Sequence, residues 1–226
     1  MENLKALTEA VCCVAREAGH FLKEERKSFR REVVQEKHAH DYVSYVDKAS
    51  EKKVVSALRK LLPEAGFIAE EGSAAYSDET YCWVVDPLDG TTNYIHDNAP
   101  YCVSIALRDK QSLLLGVVYE PCRDECFYAW KGGGAYVNGE RLRVSLVSEL
   151  KDAFVVTELP YNFEQYARTG EHLIHELYGK VAGIRMNGSA ALALCYVAAG
   201  RFDAWLEAFI GKWDFSAACL LYTSPS

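Results

Sequence analysis

The segment WVVDPLDGTTNYIHDNAPYCVSIAL at residues 83–107 constrains this chain more than any other. Trp83 to Val85 is an apolar run that reads as a buried strand, and it leads directly into an acid, Asp86. Pro87 is expected to stop the strand, Asp89 brings a second acid, and Gly90 permits a tight turn. Thr91, Thr92 and Asn93 can then cap a short helix. Hard divalent cations such as magnesium take oxygen ligands, with carboxylates supplying the strength. Two carboxylates three residues apart on a rigid turn can hold two such ions, with the carbonyl of Leu88 between them as a neutral ligand. Amides from Gly90 to Thr92, at a helix N-terminus, would face a phosphate anion. The competing reading is that Asp86 and Asp89 only cap a turn. The T-T-N that follows, and the apolar strand that precedes, favour the cation site.

Around this segment the pattern divides in two. Leu4, Leu7, Val11, Val14, Ala18, Phe21 and Leu22 recur at three- and four-residue steps and predict a helix over residues 3–25. A second helix is predicted from Lys48 to Leu62, with Asp47 as its N-cap and Pro63 and Gly66 ending it. FIAEEG, YCWVVD, VSIAL, LLLGVVY and CFYAW then read as strands, and Asn138-Gly139 as a hairpin turn. From Ala153 strands and helices alternate: FVVT, a helix over 161–179, GIRM, SAALALCYVAAG as a helix, FDAWLEA, and a helix beginning near Trp213. The expectation is α+β followed by α/β: a helix-flanked antiparallel sheet over 1–145 carrying the acidic motifs, then a smaller α/β lobe over 146–226.

Bulk properties narrow the function classes. The net charge is −7, and the one basic stretch, residues 23–32, alternates in sign, which argues against a nucleic-acid partner. No apolar stretch reaches the length of a membrane span, and the amphipathic N-terminus with Glu2 and Glu9 does not read as a signal peptide. A cytoplasmic location is the default. Of the eight cysteines, Cys82, Cys102, Cys126 and Cys195 lie inside apolar runs, so reduced thiols acting as small hydrophobes are expected rather than a disulfide frame. Taken singly, Glu70 and Glu71 read as an exposed acidic loop, Asp214 as a helix cap and Glu207 as a surface acid; they gain weight only beside the 86–93 segment. His172 and His175 read as surface histidines, and Lys131-Gly-Gly-Gly134 as a turn between strands.

E-E-G at 70–72, D-P-L-D-G-T-T-N at 86–93 and W-D-F-S-A-A at 213–218, supported by G-S-A-A at 188–191 and Y-V-S-Y-V-D at 42–47, resemble the inositol monophosphatase family of lithium-sensitive, magnesium-dependent phosphatases. The resemblance runs from about residue 3 to Ala218 and implies a layered α-β-α-β-α sandwich. It implies a site with two or three magnesium ions: Glu70, Asp86 and the Leu88 carbonyl on the first, Asp86, Asp89 and Asp214 on the second. Thr91 with Glu70 would activate the attacking water, and Asp47 would orient Thr91. Gly90 and Thr91 would meet the phosphate, while Gly188, Ala190 and Glu207 would meet the hydroxyls of a small phosphorylated polyol. Lys37 would stand near the outer metal, and a homodimer is compatible with the family. Thr92 and Glu207 favour inositol phosphates over the bisphosphate nucleotidases and fructose bisphosphatases of the same superfamily. The rival from another class is a non-catalytic protein that binds other proteins. After Ala218 the family pattern would continue with glycine and further strands and helices, whereas this sequence reads CLLYTSPS, so an incomplete second lobe is expected.

Overall fold

A computed structural model describes residues 3–30, 34–38, 41–76, 78–159 and 163–224. The first helix, α1 (Leu4–Arg26), buries Val11, Ala15, Ala18 and Leu22, the stripe its periodicity predicts. It is followed by a hairpin of β1 (Gln35–His38) and β2 (Asp41–Val43), whose pairing shifts register between Glu36 and His38. The next helix, α2 (Tyr45–Leu61), begins earlier than predicted because Ser44, not Asp47, is its N-cap. Ser44 Oγ accepts the Val46 amide at 3.1 Å. Asp47 reaches back from the first turn to accept the Ser44 amide at 2.8 Å and the Ser44 hydroxyl at 2.7 Å. Both residues are buried, so each polar atom depends on the other. Ser44→Ala is expected to cost about 1–2 kcal/mol, the loss of a cap that also strips a buried carboxylate of a donor. A denaturant midpoint equal to that of the parent protein would show that this network adds no net stability.

Seven strands then form one sheet in sequence order. They are β3 (Gly66–Ala69), β4 (Cys82–Asp89), β5 (Cys102–Arg108), β6 (Leu113–Glu120), β7 (Glu125–Trp130), β8 (Gly134–Val137) and β9 (Glu140–Arg141). The short helix α3 (Thr91–Ile95) lies between β4 and β5. The sheet is antiparallel from β4 onward, but β3 runs parallel to β4, a departure from the uniformly antiparallel sheet expected. Asn138 and Gly139 both have positive φ, the type I′ geometry that N-G favours between β8 and β9.

The rest of the chain is β10 (Phe154–Thr157), α4 (Phe163–Leu177), β11 (Gly183–Arg185), α5 (Ala190–Ala198), β12 (Ala204–Leu206) and α6 (Lys212–Thr223). The helix α6 takes in Cys219, Leu220 and Leu221, and Leu221 is buried. The three strands pair in parallel in the order β11-β10-β12. The crossover from β10 to β11 and the one from β11 back past β10 to β12 step in opposite directions, so right-handed connections put α4 and α5 on opposite faces.

Alternation along the central strands sorts the core. Trp83, Val85, Ile105 and Val117 pack with α1 and α2 on one face. Val84, Ala106, Val118 and Phe127 pack with α5 and α6 on the other. Since α5 also touches β12, α5 and α6 lie between the two sheets, giving the layered α-β-α-β-α order expected. At Gly116 the backbone of α6 comes so near β6 that a Cβ would press on the carbonyl oxygen of Ala217 and stand 2.9 Å from its carbonyl carbon. Cys82, Cys102, Cys126 and Cys195 are buried, as their apolar surroundings predict. Among the described residues no helix is long and apolar enough to cross a membrane.

Candidate active site

The site grows from the end of β4. This strand does not stop at Pro87 but continues to Asp89, and between Asp86 and Asp89 it slips one residue against β5. Asp86 faces Ser104 while Asp89 faces Cys102, so three steps on β4 match two on β5: a bulge. A bulge re-aims the side chains on either side of it, and here both acids turn into the space between the sheets. Asp86 Oδ1 accepts the Leu88 amide at 3.0 Å, and the Ser50 hydroxyl donates to the Pro87 carbonyl at 3.1 Å, which fixes the bulge against α2. Gly90, rather than a threonine side chain, occupies the N-cap of α3, in the left-handed region at φ 92°.

Asp214 arrives from the first turn of α6. Its carboxylate reaches back to accept the amide of the N-cap residue Gly211 at 2.6 Å and still presents oxygen to the site. Asp86, Asp89 and Asp214 offer carboxylate oxygens that all lie within 4.8 Å of one another. Glu70, just past β3 and anchored through its amide to the Val85 carbonyl at 3.2 Å, brings its charge to bear on the Asp86 carboxyl. Burial, then the charges of Glu70, Asp89 and Asp214, push the Asp86 carboxyl well above the usual carboxylate range. Asp89 is pushed up to about 6 by burial, against the pull of donors from Ser189 and Ala191. Oxygen donors alone, crowded together and partly shielded from water, are the donor set a hard divalent cation fits, since its charge offsets both their repulsion and their burial. Magnesium fits these residues.

Thr91, at the first turn of α3, places its hydroxyl 3.1 Å from Asp47 Oδ1 and 2.9 Å from the Leu88 carbonyl. The buried Asp47 therefore ties α2 to this threonine while its other oxygen closes the cap at Ser44. Asp47 is raised by burial, partly offset by the donors from Ser44 and Thr91.

The opposite wall comes from the second sheet. Parallel pairing sets Thr157 beside Leu206, so Glu158 and Glu207 emerge side by side at the carboxyl ends of β10 and β12, where open α/β sheets collect ligands. Burial, then the charges of Glu158, Asp89 and Asp214, push Glu207 up to about 9, and its Oε2 is buried with no hydrogen-bond partner among the described residues. The 187–191 segment connects the two walls. Asp89 Oδ2 accepts the Ser189 hydroxyl at 2.6 Å and the Ala191 amide at 2.9 Å. A Cβ on Gly90 would stand 3.1 Å from the Gly188 carbonyl oxygen, so Gly90 and Gly188 are in close approach. Asn93 Nδ2 donates to the carbonyls of Pro100 and Asn187, each at 2.7 Å.

Glu70, Asp86, Leu88, Asp89, Gly90, Thr91, Asp47 and Asp214 thus lie on one side, with Gly188, Ala190 and Glu207 across from them. Lys37 lies in β1, and its side chain is outside the described residues. Sequence reasoning missed Glu158, Ser44 and Ser189. Ser189 had a signal, a serine directly before an apolar helical run; Glu158, within T-E-L-P, had none.

Residues 3–224 match the inositol monophosphatase family. The chain is 40% identical to Nus factor SuhB of Escherichia coli (strain K12) over 92% of its own length and 78% of that protein's. It is 36% identical to the fructose-1,6-bisphosphatase/inositol-1-monophosphatase of Aquifex aeolicus over 98% and 84%. The crystal structure of extragenic suppressor protein suhB from Bartonella henselae superposes with a TM-score of 0.91 at 35% identity, covering 97% of this chain and 85% of that one. Acids gathered by a bulged strand, two sheets in the same layered order and a match over nearly every residue agree: this chain belongs to the inositol monophosphatase family.

Proposed function

We propose that this protein hydrolyses inositol monophosphate, or a similar small phosphate monoester, to the alcohol and inorganic phosphate in a magnesium-dependent reaction. The observation that carries this reading is the convergence of Asp86, Asp89 and Asp214 beside a threonine hydroxyl held by a buried aspartate. Glu70, Asp86 and the Leu88 carbonyl would hold one magnesium ion, and Asp86, Asp89 and Asp214 a second. When bound, the ions supply a lowered pKa for water and neutralise charge on the attacking and leaving oxygens.

The protein's own groups do the rest. Thr91 has one hydroxyl proton and two acceptors within reach. Donating that proton to Asp47 leaves the Thr91 oxygen free to accept a hydrogen bond from the attacking water. Glu70 would share that water, since its carboxyl is already within reach of Asp86. Across the cleft Glu207 is pushed up to about 9, first by burial, which favours its protonated form. A protonated carboxyl both donates and accepts, which suits a sugar or cyclitol hydroxyl. The backbone at Gly188 and Ala190 completes that wall.

Relatives named Nus factor SuhB favour a second reading, a factor that acts through contacts with other proteins. Phosphate release with and without magnesium separates the two. We expect magnesium-dependent turnover, faster on inositol 1-phosphate than on 3′-phosphoadenosine 5′-phosphate. No release with either ester would favour the contact role, and a preference for the nucleotide would move the substrate class.

A further inference from the structure

Glu158 has no part in holding metal, yet its placement is unusual for an acid. It follows β10, is half-buried, and spends one oxygen on two backbone amides: Oε1 accepts the Asn187 N–H at 2.6 Å and the Gly188 N–H at 2.9 Å. The Asn187 carbonyl is held at the same time by Asn93, four residues past Asp89. The Asn187–Gly188 peptides are therefore gripped from both sides, by the second sheet through Glu158 and by the metal turn through Asn93. Three residues past Gly188, the Ala191 amide donates to Asp89. The chain from 187 to 191 has little freedom to shift along the cleft while these bonds hold.

We propose that Glu158 is a positioning residue that sets which alcohols the site accepts. Its carboxylate fixes Gly188 and Ala190 at the spacing from Glu207 at which the hydroxyls of a phosphorylated polyol are received. This rests on the phosphatase reading above. The residue acts through the 187–188 backbone and does not touch the reacting atoms. What it needs is an acceptor oxygen of the right reach: glutamine keeps that oxygen, whereas alanine leaves two amides without a partner and lets the segment relax. Displacements of about 1 Å in a positioning group can cost on the order of a hundredfold.

The test compares Glu158→Gln and Glu158→Ala in the full chain with magnesium. The readout is kcat/KM on inositol 1-phosphate divided by kcat/KM on p-nitrophenyl phosphate, an ester with no hydroxyls to position. Glu158→Ala is expected to lower this ratio about tenfold, mainly through KM for the polyol ester. Glu158→Gln is expected to keep it within about threefold. Equal losses on both esters, or a glutamine variant as impaired as alanine, would overturn the proposal. Hydrogen–deuterium exchange of the amides of Asn187 and Gly188 is measured alongside and needs no substrate. Faster exchange in Glu158→Ala but not in Glu158→Gln is expected, and unchanged exchange in both overturns the clamp whatever the activity. A parent protein inactive on both esters would instead overturn the phosphatase reading, a failure the exchange result keeps separate.

Discussion

Asp86→Asn is expected to reduce magnesium-dependent phosphate release at least a hundredfold, about 2.7 kcal/mol in barrier, while leaving the fold intact. Asparagine has the shape of aspartate, so the bulge and the bond to the Leu88 amide can persist. What disappears is the charge that would be shared by both metal positions. The same substitution makes a second, opposite prediction for stability. Asp86 is buried among Glu70, Asp89 and Asp214, and this crowding costs free energy in the metal-free protein. A neutral side chain removes that cost, so the variant without magnesium should melt no lower than the parent. Magnesium should stabilise the parent by about 2.7 kcal/mol at a hundred times its Kd, and the variant by far less. Retention of more than about a tenth of parental activity, or an equal magnesium-induced rise in melting temperature, would sink the assignment of Asp86 as a shared ligand.

Gly116→Val carries the largest expected cost to stability. The atoms that meet a Cβ at this position belong to the backbone of Ala217, not to a flexible side chain that can swing aside. Overpacking in a close-packed core costs about 1–3 kcal/mol and sometimes more, and a displaced helix places this change at the upper end. At about 2–4 °C per kcal/mol for a chain of this size, a fall in melting temperature of about 6–12 °C is expected in calorimetry. The effect should reach the site as well, because Asp214 lies one turn before Ala217 on the same helix. Affinity for magnesium should therefore weaken even where the variant is still folded. A melting temperature within about 2 °C of the parent would show that α6 yields at little cost.

The acidic cluster was legible because its signal is local. Asp86, Asp89 and Gly90 fall within five residues of an apolar strand, and a cation-binding reading follows from their spacing, whereas the role expected of Thr91 came from the resemblance. Glu70 and Asp214 gained weight only beside the 86–93 segment, since each taken singly looks like a loop acid or a cap; the N-cap of α6 is in fact Gly211, and Asp214, in the first turn, bonds its amide and is also a cluster member. Ser44 was overlooked in favour of Asp47 because both residue types cap helices, and only the geometry shows which is outside the first turn. The parallel direction of β3 could not be read, since nothing in four residues distinguishes parallel from antiparallel pairing. The hairpin of β1 and β2 was missed because a charged stretch with an irregular register has no period-two pattern. Glu158 was hidden for the deepest reason. Its partners, Asn187 and Gly188, lie 29 and 30 residues away, and the strand that sets it beside Glu207 pairs across 49.

The bond from Ser189 to Asp89 spans 100 residues of chain. A loop of that length closes at an entropic penalty no single hydrogen bond repays, so this contact can form only after the two sheets have docked around α5 and α6. The two walls of the cleft are accordingly products of the last stage of folding, and a fragment or an early intermediate holds at most the local Asp86–Thr91 turn. An ion that needs Asp214 as well as Asp86 binds the finished molecule and little else. Its stabilisation should then appear in the slowest-exchanging amides of the central strands as much as in the loops around the acids, because the opening it opposes is that of the whole protein.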